Sequence, residues 1–97
     1  MKQKIVILGS TGSIGKTVID ILKKDKKSFE IKLLTADKNI KELLKQVKLF
    51  EVKNIIIIDH KKFLLLKNLL KNKKINIYNS FSSIPIIFKN EKIDYTM

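Results

Sequence analysis

The sequence predicts an α/β fold: a parallel sheet of about five strands with flanking helices, incomplete at its carboxyl end. Three observations predict it. Short apolar runs rich in branched residues alternate with stretches whose apolar residues recur at helical spacing, the pattern of strand-helix-strand units. A glycine-rich segment joins the first such run to the first helix. No linker, repeat or low-complexity tract interrupts the alternation, so residues 1–97 are expected to form one domain.

The elements follow in order. Lys4 to Leu8 is a branched, almost wholly apolar run that stops at glycine, as a strand buried on both faces does. After the glycine turn, Ile14, Val18, Ile21 and Leu22 mark a helix, and Lys23 and Lys24 close it where positive charge is favoured. Glu30 to Thr35 reads as a second strand. Asn39 then starts a helix with Glu42 three residues on, as in a capping box, and Ile40, Leu43, Leu44 and Val47 form its apolar stripe. Asn54 to Ile58 is a third buried strand, and Phe63, Leu66, Leu69 and Leu70 mark a third helix. Ile75 to Tyr78 is a fourth strand. Ser82 to Lys89 is a weaker helix that tolerates Pro85 only in its first turn. Ile93 to Met97 begins a fifth strand with no helix after it, the ending expected of a truncated chain.

Composition narrows the function. With no cysteine, the chain has no disulfide framework, no thiolate metal site and no cysteine nucleophile. No apolar run approaches the roughly 20 residues of a membrane span, and the first one is too short for an export signal. A reducing, cytoplasmic setting without a membrane partner is the expectation. The net charge of +12 would ordinarily raise nucleic acid as a partner. Every basic residue is lysine, however, and arginine is the residue suited to bidentate base and phosphate recognition. The lysines are also spread along the chain, so solvated faces are expected rather than a nucleic-acid surface.

The chemistry is concentrated in Gly9-Ser10-Thr11-Gly12-Ser13-Ile14-Gly15, with glycines spaced G-x-x-G-x-x-G between strand and helix. In a Rossmann-like dinucleotide fold the first glycine permits the tight turn. The second lets the backbone approach the pyrophosphate, and the third lets helix and strand pack closely. The pyrophosphate then rests on free N–H groups at the positive end of the helix. A glycine turn without a ligand is the plainer alternative, and the strand-loop-helix context argues against it. A second alternative is a P-loop NTPase, since Gly15-Lys16-Thr17 resembles the end of G-x-x-x-x-G-K-[ST] and Asp59 follows an apolar strand. That motif needs glycine where this chain has Ser10, and Lys16 is expected to be a solvated helix residue. At the end of the second strand, where the adenine ribose is read, Asp37 favours the hydroxyls of NAD and Lys38 the extra phosphate of NADP. Spacing alone leaves the two cofactors open.

The opening Ile5 to Gly15 resembles that of the 1-deoxy-D-xylulose 5-phosphate reductoisomerases. Thr17 to Asp20, Phe29, Leu34 to Asn39, Gln46 and Phe50 extend the resemblance over about the first 60 positions. The resemblance implies that Thr11, Gly12, Ser13 and Ile14 contact the NADPH pyrophosphate and nearby groups, while Lys38 and Asn39 hold the 2′-phosphate. Asp37 departs from the pattern, since a carboxylate there repels that phosphate. The family rearranges and reduces a sugar phosphate, 1-deoxy-D-xylulose 5-phosphate, to 2-C-methyl-D-erythritol 4-phosphate in non-mevalonate isoprenoid biosynthesis, with NADPH and a divalent metal, Mg or Mn. By the resemblance, the metal and substrate ligands lie beyond the end of this chain. No catalytic or metal residue is therefore expected here, and a family-like homodimer would need the missing domains. Asp59, His60, Glu91 and Asp94 share no ligand spacing, and His60 is expected in a solvated loop. Part of an oxidoreductase and a non-catalytic or decayed nucleotide-binding module both remain open.

Overall fold

A computed structural model describes residues 3–88, 93 and 95–96. Its strands are β1 (Gln3–Ile7), β2 (Phe29–Ala36), β3 (Asn54–Ile57), β4 (Asn76–Tyr78) and β5 (Tyr95–Thr96). The helices between them are α1 (Ser13–Leu22), α2 (Ile40–Phe50), α3 (His60–Leu69) and α4 (Ile84–Ile87), with 3-10 turns at Lys23–Ser28 and Phe81–Ser83. Lys89, Glu91 and Asp94, named above at the end of the fourth helix and among the candidate ligands, lie outside the described residues.

The strands form one parallel sheet in the order β4-β3-β2-β1-β5. The chain steps outward from β1 to β4 and then returns to lay β5 on the other side of β1. Right-handed crossovers therefore put α1, α2 and α3 on one face and α4 on the other. Burial follows that division. Ile5, Ile7, Ile31, Leu34, Ile55 and Ile57 meet Ile19 and Leu22 of α1, Leu43 and Val47 of α2, and Leu66 of α3. On the opposite face Val6, Leu33 and Ile56 are covered by Tyr78, Ile84, Ile87, Phe88 and Ile93.

One irregularity sets which β2 residues reach which layer. Ile5 pairs with Ile31 but Val6 pairs with Leu33, so β2 carries one extra residue, Lys32, at a bulge. Ile31 and Leu34, three apart, consequently face the same layer, and Leu33 faces the other.

Three expectations need correction. The inward face of α1 runs through Gly15, Ile19 and Leu22, with Val18 half-buried, whereas Ile14 and Ile21 are 84% and 61% exposed. Contact of Gly15 with the β1 loop sets the rotation of the helix, and apolar spacing alone misplaces it by about one residue. In α3 Leu66 is buried, but Leu69 is exposed. His60 is not in a loop; it is the exposed first residue of α3, because the Asp59 carboxylate caps that helix by accepting from Lys62 N–H at 3.0 Å. Strand limits move slightly: Leu8 and Ile58 fall just outside β1 and β3, and β2 gains Phe29 and Ala36. Among the described residues no helix is long and apolar enough to cross a membrane.

Candidate functional site

The carboxyl end of β1 lies beside that of β2, at the point where the strand order reverses between β1 and β5. In open α/β sheets this is where the crevice for a ligand forms. The glycine loop occupies it, and its three glycines have three different physical reasons.

Gly9 has φ +68°, a left-handed conformation that glycine adopts without cost, and the chain turns there in a single step closed by Gly12 N–H donating to the Gly9 carbonyl at 3.1 Å. Gly15 is required by packing. A Cβ placed on it would lie 2.3 Å from the Gly9 carbonyl oxygen and 2.6 Å from Ser10 Cα, so only a hydrogen lets α1 approach the loop this closely. Gly12 meets neither constraint. Its φ is −76°, and a Cβ there would touch only the Gly9 carbonyl oxygen at an ordinary 3.5 Å. Among the described residues nothing demands glycine at this position; in a dinucleotide fold the glycine at this place is the one that admits a close-lying pyrophosphate.

The start of α1 fits an anion. Gly12 is its N-cap and provides no side-chain hydrogen bond, and the first turn carries no acidic residue. The N–H groups of Ser13, Ile14 and Gly15 therefore have no intrahelical acceptor, at the positive end of the helix. Lys16 N–H is the first to be satisfied within the helix, by the Gly12 carbonyl at 2.9 Å. A groove of about 440 Å³ runs along this surface, walled by the apolar side chains of Ile7, Leu8, Ile14 and Val18. Thr11 is half-buried and Ser13 exposed at the loop crest.

The loop is held from two neighbouring elements. Gly9 N–H donates to Thr35 Oγ1 at 2.7 Å, and Ser10 N–H donates to the Thr35 carbonyl at 2.8 Å, with both donors reaching one residue of β2. From α2, Gln46 Nε2 donates to the Ser10 carbonyl at 2.8 Å. Ser10 itself is fully buried and its hydroxyl turns toward the Thr35 carbonyl, away from solvent. Thr35 and Gln46 were not among the site residues expected from the sequence. Their partners lie 26 and 36 residues away in the chain, so no local motif announces them.

The P-loop alternative does not fit this geometry. Ser10 packs inward, and the loop is a compact turn rather than a wide wrap. Lys16 is exposed on the helix, and the Asp59 carboxylate is occupied as a helix cap.

At the end of β2 the side chains of Asp37, Lys38 and Asn39 are all exposed. The Asp37 carbonyl accepts from Asp59 N–H at 2.9 Å, which anchors the turn to β3. Asn39 caps α2: its Oδ1 accepts from Glu42 N–H at 3.1 Å, leaving Nδ2 as the group able to reach a phosphate. The structure thus brings Gly9, Thr11, Gly12, Ser13, Ile14 and Gly15 into one loop and sets Asp37, Lys38 and Asn39 beside it. Among the described residues no three His, Asp or Glu side chains are grouped so as to hold a metal ion. A larger hollow, of about 710 Å³, opens between α2 and α3 at the other end of the sheet. The carboxyl ends of both helices face it, beside Lys48, Lys53 and Lys73.

Comparison with known proteins shows the family. The family model of 1-deoxy-D-xylulose 5-phosphate reductoisomerase matches residues 5–97. The reductoisomerase of Pelagibacter ubique is 54% identical over 96 residues, covering 98% of this chain and 25% of that protein. That of Phocaeicola vulgatus is 30% identical over 97 residues, covering 100% of this chain and 25% of that protein. The chain thus spans about a quarter of the length of the curated relatives it matches. Among solved structures, the Zymomonas mobilis reductoisomerase in complex with NADPH superposes with a TM-score of 0.84 at 25% identity, covering 99% of this chain and 25% of that one. A reductoisomerase in complex with NADPH, fosmidomycin and magnesium shares the fold at a TM-score of 0.83 and 23% identity, covering 97% of this chain and 23% of that one. With a family match over residues 5–97, and with 98% of its length aligned to a relative at 54% identity, the chain belongs to the 1-deoxy-D-xylulose 5-phosphate reductoisomerase family.

Proposed function

We propose that this chain is the NADPH-binding part of an enzyme that converts 1-deoxy-D-xylulose 5-phosphate to 2-C-methyl-D-erythritol 4-phosphate. The observation that carries the proposal is Gly12, a glycine that no contact among the described residues explains, standing at the start of α1 without a side-chain cap. The Zymomonas relative in complex with NADPH supports the choice of ligand.

In this reading Gly9 makes the turn and Gly15 lets α1 dock. The N–H groups of Ser13, Ile14 and Gly15 donate to the pyrophosphate, over the bare Cα of Gly12. Thr11 and Ser13 add hydroxyl donors at the crest, and Leu8, Ile14 and Val18 give the groove an apolar wall. Lys38 and Asn39 Nδ2 meet the 2′-phosphate, with Asp37 opposing it. NADPH supplies a hydride when bound; these residues only bind and orient it.

We further propose that the chain by itself binds without turnover, acting as a nucleotide-binding module. Its span of about a quarter of the length of the curated relatives supports this reading. The test is a titration of the purified chain with NADPH and NADH, followed by an assay for sugar-phosphate turnover with added magnesium. Saturable NADPH binding and no product are expected. Absence of binding overturns the first proposal, and product formation overturns the second.

A further inference from the structure

Gln46 is buried at 2% exposure in α2, yet its side-chain amide is only half satisfied. Nε2 donates to the Ser10 carbonyl at 2.8 Å and lies 3.4 Å from Glu42 Oε1. Oε1 has no partner among the described residues. The amide cannot be turned over, because its oxygen would then face the Ser10 carbonyl. A leucine would fill a similar volume and remove the unpaired oxygen, but it would leave the buried Ser10 carbonyl without its donor. What glutamine supplies and leucine cannot is the bond to the loop.

That bond completes a clamp. The N–H of Ser10 is fixed by the Thr35 carbonyl of β2 and its carbonyl by Gln46 of α2, so the peptide units on both sides of Ser10 are held. The chain enters the turn to Gly12 and the open N–H groups of α1 directly from these two peptides. Through Glu42, whose N–H donates to Asn39 Oδ1, the same side chain is linked to the start of α2. We infer that Gln46 is a positioning residue for the dinucleotide, pre-aligning the pyrophosphate loop and tying it to the turn that meets the adenine ribose. The inference rests on the nucleotide reading proposed above.

The test titrates the wild-type chain, Gln46→Leu and Gln46→Glu with NADP⁺ and records the thermal unfolding of each. Gln46→Leu should lower the melting temperature by several degrees, because the unpaired Gln46 oxygen is exchanged for an unpaired Ser10 carbonyl and one buried bond is lost. It should weaken NADP⁺ by roughly tenfold, the scale of one well-placed hydrogen bond. Gln46→Glu should bind weakly at pH 8, where a carboxylate would face the Ser10 carbonyl. It should recover toward wild type at about pH 5.5, where a protonated carboxyl can donate instead. Wild type measured at each pH removes the titration of the 2′-phosphate itself. Equal NADP⁺ affinity in wild type and Gln46→Leu overturns this inference alone. If Gln46→Leu does not fold, a Gln46→Glu affinity that stays in fixed ratio to wild type across the pH range overturns it. Failure of the wild-type chain to bind overturns the nucleotide reading and this inference with it.

Discussion

The glycine loop after β1 and the turn after β2 stand side by side at one end of the sheet, and they are held in opposite ways. The loop is fixed through its backbone: Thr35 and Gln46 bond Gly9 and Ser10, and Gly15 packs against both. Its functional surface is made of N–H groups that every residue except proline carries, so its specificity depends on the side chains that are missing. The turn after β2 is fixed at the Asp37 carbonyl and offers the exposed side chains of Asp37, Lys38 and Asn39. In the proposed reading ligand class is tied to folding at the loop, while choice between related ligands lies on side chains that can change without disturbing the core.

The largest expected effect tests the folding side of this contrast. Gly15→Ala places a carbon within 2.3 Å of the Gly9 carbonyl oxygen, and its neighbours are backbone atoms that cannot swing aside. We expect a loss of about 3 kcal/mol or more of stability in chemical denaturation, at the upper end of overpacking effects. Near-native stability would show that α1 and the loop are not locked together. Gly12→Val should separate binding from folding. With only an ordinary 3.5 Å contact to accommodate and an extended backbone that valine favours, it should unfold close to wild type. NADPH affinity should nevertheless fall by about 2 kcal/mol, the scale of losing charge-assisted hydrogen bonds.

Asp37→Gly addresses the turn. In the proposed reading, removal of a surface carboxylate that opposes the 2′-phosphate should favour NADPH over NADH by about 1 kcal/mol. Equal changes in both titrations would remove Asp37 from the ribose end. Lys16→Ala is the smallest change: an exposed lysine one turn into the helix should alter NADPH affinity by well under about 1 kcal/mol. A large loss there, with tight Mg-ATP binding, would restore the P-loop reading.

The loop was legible in the sequence because its requirements are local: a left-handed turn, a close approach and a packing contact all select glycine within seven residues. The strand-helix alternation was legible for a similar reason, since a buried parallel sheet needs branched apolar runs. The helix faces were less so. Apolar spacing in α1 favoured Ile14 and Ile21, but the contact that sets its rotation is made by Gly15, which carries no hydropathic signal. The bulge at Lys32 and the clamp at Gln46 depend on partners far along the chain, and no pattern in the neighbouring residues reveals them. Asn39 was read both as a helix start and as a phosphate ligand. Its oxygen performs the first role, and the second is left to its nitrogen.

The sheet order also bears on how the molecule assembles. From β1 to β4 each strand pairs with its immediate predecessor, so the growing chain can add them one after another, as in a repeat array. Among the described strands β5 breaks the sequence by pairing with β1, Ile5 against Tyr95, far along the chain. That closure carries the greatest loop entropy of any pairing in the sheet. Until it forms, the strand that leads into the glycine loop has one bare edge, open to pairing with another chain. Nascent-chain aggregation should therefore be greatest in species that have made β1 to β4 and still lack β5.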